Sequence, residues 1–198
     1  MTRMSPTRTT ATMPEARSRG LRAVSDLPRL RVIEERDAPA VLDAFDDDDM
    51  RRQGTIRTLE EAENWVSFMG GRGERLALAI DLGGHMVGAV VVSSIDQENE
   101  TGWFWYWMHR DHRGKGWMSR AAVTLADHAL TEMFLHRLEL GHRANNPASG
   151  GVARAAGFIQ EGIEREKFLV NGVRIDVHTY ARLATDPWPE TPRLPLDL

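Results

Sequence analysis

Cysteine is absent from the 198 residues, which excludes disulfide staples, thiolate zinc sites and a cysteine nucleophile together. Long apolar runs are missing too: the longest, residues 87–92, has the length of a strand, whereas a membrane-spanning helix needs about 20 residues. The N-terminus shows no hydrophobic signal-peptide region. Excess positive charge is also lacking. The formal net charge is -4 and the sequence pI about 6.0, which disfavours a strongly basic nucleic-acid binder for the chain as a whole. What remains is an ordinary globular composition, 41% hydrophobic and 27% charged, long enough for one domain with a sizeable core. A cytoplasmic enzyme or binding protein is expected, with neither membrane nor nucleic acid as its partner.

Residues 1–28 carry Arg3, Arg8, Arg17, Arg19 and Arg22 among many Ser and Thr. They cannot bury enough surface to offset their ordering entropy and read as a flexible leader, a composition that an organelle transit peptide shares. Residues 29–184 read as the domain. Residues 185–198, with four prolines, read as a surface tail.

Within the domain, residues 30–34 read as a strand and Pro39 opens a short helix ending at Phe45. Thr58 and Glu61 form a capping box for a second helix, which Gly70 and Gly71 end. Two strands, residues 76–82 and 85–94, flank the tight turn Gly83-Gly84. A third strand, residues 102–108, is rich in aromatics, and alternation sends Trp103, Trp105 and Trp107 to one face, Phe104 and Tyr106 to the other. Met118, Ala122, Leu125, Ala129 and Met133 repeat at helical spacing over residues 117–135. The strand at 137–142 follows directly, a parallel crossover. Pro147 opens another helix closed by Gly157, and two last strands flank Asn171-Gly172. This order predicts an α/β fold with one mixed, mostly antiparallel sheet and helices on both faces.

The chemistry-bearing segment is Arg113-Gly114-Lys115-Gly116-Trp117-Met118, between a strand and the longest helix. A helix N-terminus presents unpaired N–H groups and about half a positive charge, and glycines let the backbone approach an anion closely. The spacing fits neither a P-loop nor a dinucleotide fingerprint.

This segment resembles the Gcn5-related N-acetyltransferase (GNAT) superfamily, in particular the branch of the ribosomal-protein alanine N-acetyltransferases. The signature Gln/Arg-x-x-Gly-x-Gly/Ala matches from Arg113 except at its last position, Met118. Asn146-Pro147-Ala148-Ser149 ahead of Gly157-Phe158, and Asn171-Gly172 with Asp176 and Tyr180, match further along. The resemblance implies a V-shaped splay between the fourth and fifth strands, opened by a bulge near Trp105 to Met108. It implies acetyl-CoA as co-substrate and no metal. The diphosphate would sit on Arg113, Gly114, Lys115, Gly116, Trp117 and Met118. Met108 and Asn146 would contact the cofactor, and Ser149 would hydrogen-bond the leaving thiolate and protonate it. The reaction would be direct attack of a neutral amine on the thioester.

The family's usual positions for a general base hold Trp103 and Phe168 here, and its acid tyrosine falls at Ala153. His109, Glu98, Glu100 and Glu166 remain as candidate bases, with water relay as an equal alternative; His109 titrates near neutral pH. Trp103, Trp105 and Phe168 are the expected acceptor-side residues, as a pocket wall or as core and interface packing. Asp46 to Asp49 reads as a solvated acidic loop or as a steering patch for cationic acceptors. The function expected is an acyl-CoA-dependent N-acyltransferase acting on a small-molecule or peptide amine, with a homodimer compatible with the exposed tryptophans. Its rivals are a catalytically silent acyl-CoA-binding protein and a transferase of larger acyl groups.

Overall fold

A computed structural model describes residues 27–71 and 73–198. The expected leader lies outside the described residues except for its last two positions. β1 (Arg29–Val32) leads through a 3-10 turn into α1 (Ala38–Phe45), and a second 3-10 turn (Asp48–Arg52) precedes α2 (Leu59–Gly70). The Thr58 hydroxyl accepts the Glu61 N–H while the Glu61 carboxylate accepts the Thr58 N–H, the reciprocal cap expected. β2 (Leu76–Leu82) and β3 (His85–Asp96) form the expected hairpin, antiparallel to β4 (Thr101–Met108). α3 (Trp117–Thr131) crosses over to β5 (Arg137–Arg143), α4 (Pro147–Ala155) follows, and β6 (Ile159–Val170) and β7 (Val173–Leu183) make the last hairpin.

The sheet order is β6-β7-β5-β4-β3-β2-β1, extended beyond β1 by β8 (Leu196–Asp197). β4–β5 and β1–β8 pair in parallel and the other pairings are antiparallel. One face buries Leu78, Val90, Phe104, Ala122, Leu125 and Leu138 against α3 and α4. The other buries Val41, Phe45, Ala62, Val91 and Trp107 beneath α1 and α2. Period-2 alternation along β3 and β4 places these two sets on opposite sides.

Three expectations need correction. α3 ends at Thr131 rather than near residue 135, because Phe134 adopts φ +56° and turns the chain. The last residues are not a surface tail: Leu194 is buried, Leu196 and Asp197 pair with β1, and Arg193 joins Asp127 at 2.7 Å. No bulge lies near Trp105 to Met108, where the β3–β4 register runs unbroken; the irregularity falls between Ser93 and Asp96.

Candidate functional site

β4 and β5 pair only at Thr101–Arg137, Gly102–Leu138 and Trp103–Glu139. Beyond Trp103 the strands part, while β5 stays paired to β7 along its whole length. The His109 N–H donates to Val87 C=O at 2.9 Å. Alternation from that bond therefore turns the backbone groups of Met108, Tyr106 and Phe104 away from β3 and into the split. Two of these carbonyls take side-chain donors: Tyr106 C=O receives Gln53 Nε2 at 3.2 Å and Met108 C=O receives Arg113 Nε at 3.0 Å.

A cavity of about 540 Å³ occupies this split. Its walls are the opened part of β4 from Tyr106 to Met108, the turn and first residues of α3 from His112 to Ser119, the N-terminal part of α4 with Asn146, Ala148 and Ser149, and Asp49, Met50 and Gln53 from the α1–α2 connection. Gly114 and Gly116 have φ of +77° and +72°, a backbone region that costs other residues roughly 1–2 kcal/mol. A Cβ at either would meet nothing within 4 Å. The first intrahelical bond of α3 runs from Arg120 N–H to Gly116 C=O, so the N–H groups of Trp117, Met118 and Ser119 have no partner within the helix. Such an end fits a diphosphate, and the open strand edge beside it fits an extended amide-bearing chain.

Asn146 is the N-cap of α4, its Oδ1 accepting the Ser149 N–H at 3.4 Å. The Ser149 hydroxyl lies 3.1 Å from the Tyr106 hydroxyl, which also donates to Ser149 C=O at 2.7 Å. Burial pushes the Tyr106 phenol up to about 12, against the lowering effect of its Ser149 bond. His112 also faces the cavity, stacked on Trp117 with centroids 6.0 Å apart. Burial, then Lys115 and His109, hold its pKa below the usual histidine value. Lys115 Nζ lies 4.7 Å from the Trp117 ring centroid, a cation–π contact.

The structure brings together Met108, Arg113 to Met118, Asn146 and Ser149. It does not bring the remaining candidates there. His109 accepts the Asp111 N–H at Nδ1, which leaves the ring proton on Nε2, 3.0 Å from Asp43. Glu166 sits at an irregularity of the β6–β7 hairpin, its N–H bonded to Asp176. Glu98 and Glu100 lie in the turn at the closed end of the β4–β5 pairing. Trp103, Trp105 and Phe168 also lie off the cavity wall: Trp105 Nε1 reaches Ser93 Oγ at 3.1 Å, and Phe168 lies under Arg143 at 4.7 Å. Trp107 is the tryptophan of the run that reaches the wall, and it packs on Phe45 and Trp65. Sequence reasoning missed Tyr106 and Gln53. Alternation had put Tyr106 on the correct face, while nothing local marked Gln53. Among the described residues no group of three or more His, Asp or Glu side chains could hold a metal ion, and no helix is long and apolar enough to cross a membrane.

A mixed sheet parted between two parallel strands, beside a helix whose first N–H groups lack intrahelical partners, makes a cleft that suits an extended chain with an anionic end. The family model for an acetyltransferase (GNAT) domain matches residues 29–159, and the chain belongs to that family. It is 33% identical over 98 residues to the ribosomal-protein-serine acetyltransferase of Escherichia coli, covering 50% of this chain and 55% of that protein. To the spermidine N(1)-acetyltransferase of Vibrio cholerae it is 27% identical over 104 residues, covering 52% and 60%. The aligned part of the chain spans about half the length of the curated relatives it matches. Among solved structures, RimL, a ribosomal L7/L12 alpha-N-protein acetyltransferase in complex with coenzyme A, superposes with a TM-score of 0.70 at 26% identity, covering 81% of this chain and 96% of that one.

Proposed function

We propose that the chain is a cytoplasmic acetyl-CoA-dependent N-acetyltransferase that transfers acetyl to a primary amine by direct attack. The observation that carries this reading is the convergence on one cavity of the bare end of α3, the open edge of β4 and the Ser149 hydroxyl. The co-substrate supplies an activated acetyl carbonyl and a thiol leaving group.

The N–H groups at the start of α3 hold the diphosphate, with Lys115 adding positive charge at the rim. The Tyr106 and Met108 N–H groups, turned into the split, pair with the pantetheine amides and polarise the acetyl carbonyl. Asn146 keeps α4 in place by capping it. Ser149 Oγ donates a hydrogen bond to the departing sulfur, and the proton that the sulfur finally keeps is the one the amine loses. His112, uncharged at neutral pH, can accept that proton in transit.

The acceptor is a primary amine of a peptide or small molecule, in keeping with relatives named for ribosomal proteins and for spermidine. Trp105, packed on the α1–α2 side of the sheet, with Trp103 two residues before it and Phe168 beneath Arg143, would meet it outside the cavity, and exposed Ile163, Leu169 and Val173 on the outer hairpin favour a homodimer. The test is thiol release from acetyl-CoA across peptide N-termini and polyamines, with Ser149→Ala alongside. Ser149→Ala is expected to lose about a hundredfold in kcat while binding acetyl-CoA as before. Tight binding without turnover on any amine would instead make the chain a silent acyl-CoA-binding member of the family.

A further inference from the structure

Tyr106 stands on β4 just past the last β4–β5 pair at Trp103. Its ring packs beside Phe104, centroids 6.2 Å apart, on the α3 side of the sheet. Its hydroxyl reaches 2.7 Å to Ser149 C=O and 3.1 Å to Ser149 Oγ, and Ser149 belongs to the first turn of α4. One phenol therefore spans the split, from the lip made by β4 to the lip made by α4.

Resting on the acetyltransferase reading above, we infer that Tyr106 is a positioning residue for Ser149: it ties the first turn of α4 to β4 and fixes the serine hydroxyl at the cavity wall. The phenol has one proton, and the shorter bond commits it to the Ser149 carbonyl. Its oxygen is then free to accept the Ser149 hydroxyl proton in the resting protein. When negative charge develops on a sulfur in the cavity, the serine O–H turns toward it about a Cβ that does not move. Burial keeps the phenol protonated across the neutral range, so it sets geometry and does not exchange its proton.

The experiment is steady-state kinetics on wild type, Tyr106→Phe, Ser149→Ala and the double variant, with a responsive amine. Tyr106→Phe is expected to lower kcat about tenfold with KM for acetyl-CoA within about twofold, and the double variant to be no slower than Ser149→Ala alone. A second variant replaces Tyr106 by 3-fluorotyrosine, which keeps ring and hydroxyl but makes the phenol more acidic. A positioning role gives this variant the shape of the wild-type pH profile between about pH 6 and 9; a profile displaced from the wild type's overturns the role and makes Tyr106 a proton donor. Wild-type kcat in Tyr106→Phe, or losses that multiply in the double variant, overturn this role alone. No thiol release by the wild type with any amine overturns the enzymatic reading, and this role with it.

Discussion

Asp47 holds Arg113: its Oδ2 lies 3.0 Å from Arg113 Nη2, and Asp49 takes Nη1 at 3.0 Å. The acidic run between α1 and α2 thus neutralises the arginine that opens the glycine turn, and through it the Met108 carbonyl is also occupied. The arginine expected at the diphosphate is paired within the protein, by carboxylates expected to face solvent or a cationic acceptor.

Releasing that guanidinium should strengthen anion binding. Asp47→Asn combined with Asp49→Asn keeps a side-chain oxygen to cap the 3-10 turn but removes both charges. With part-exposed pairs worth about 0.2–1 kcal/mol each, acetyl-CoA is expected to bind about threefold to tenfold more tightly by titration calorimetry. Unchanged or weaker binding would mean that the carboxylates shape the loop for the ligand instead.

Gly116→Glu should abolish cofactor binding. A side chain at φ +72° is strained, and its carboxylate would face the incoming phosphates. Like charges about 4 Å apart at an effective dielectric of about 20 repel by about 4 kcal/mol, roughly a thousandfold in affinity. Calorimetry with coenzyme A decides it; wild-type affinity would remove the helix end as the anion site.

His142 makes stability depend on pH. It lies buried beneath α4, with Nδ1 3.0 Å from Arg143 C=O and Nε2 3.5 Å from the Tyr180 hydroxyl. Burial above all, then His178 and Arg154, hold its pKa down against the raising effect of the Arg143 carbonyl. Since the folded value lies below the unfolded one of about 6.5, the unfolded chain takes up more protons. Stability is complete above about pH 6.5 and drains as pH falls below it; His112 contributes with the same sign. Thermal melts should show a lower Tm at pH 5.5 than at pH 7.5, with a shallower dependence in His142→Gln. An identical slope in that variant would clear His142.

Leu194→Ala should destabilise the domain although it lies in the proline-rich end. The side chain is 4% exposed and its N–H donates to Thr124 Oγ1 at 2.9 Å. Truncating a buried leucine costs about 2–5 kcal/mol, which urea denaturation would resolve. A loss under about 0.5 kcal/mol would mean that the segment docks without supporting the core.

Much of the fold was legible because it is written locally. The Gly83-Gly84 and Asn171-Gly172 turns, the Thr58–Glu61 cap and the α3 stripe from Met118 to Ala129 need only neighbouring residues to be recognised. The glycine turn before α3 was legible for the same reason, since its two positive-φ glycines adjoin the helix they open. The end of α3 was not, because the turn at Phe134 serves to deliver Leu135 to the core. Nor was the docked tail: its prolines suggested exposure, but Asp127 offers one carboxylate to both Arg182 and Arg193.

What the chain determined by itself was the order of its elements, their inward faces and the place where an anion can approach the backbone, because periodicity, capping and φ preference act over a few residues. Family resemblance, and no local pattern, indicated which strand edge stays open; tertiary structure alone decided that Tyr106 meets a serine 43 residues away and that Arg113 answers to a carboxylate 66 residues away. Such pairings depend on where the packed core sets each backbone, and no short-range pattern carries that information.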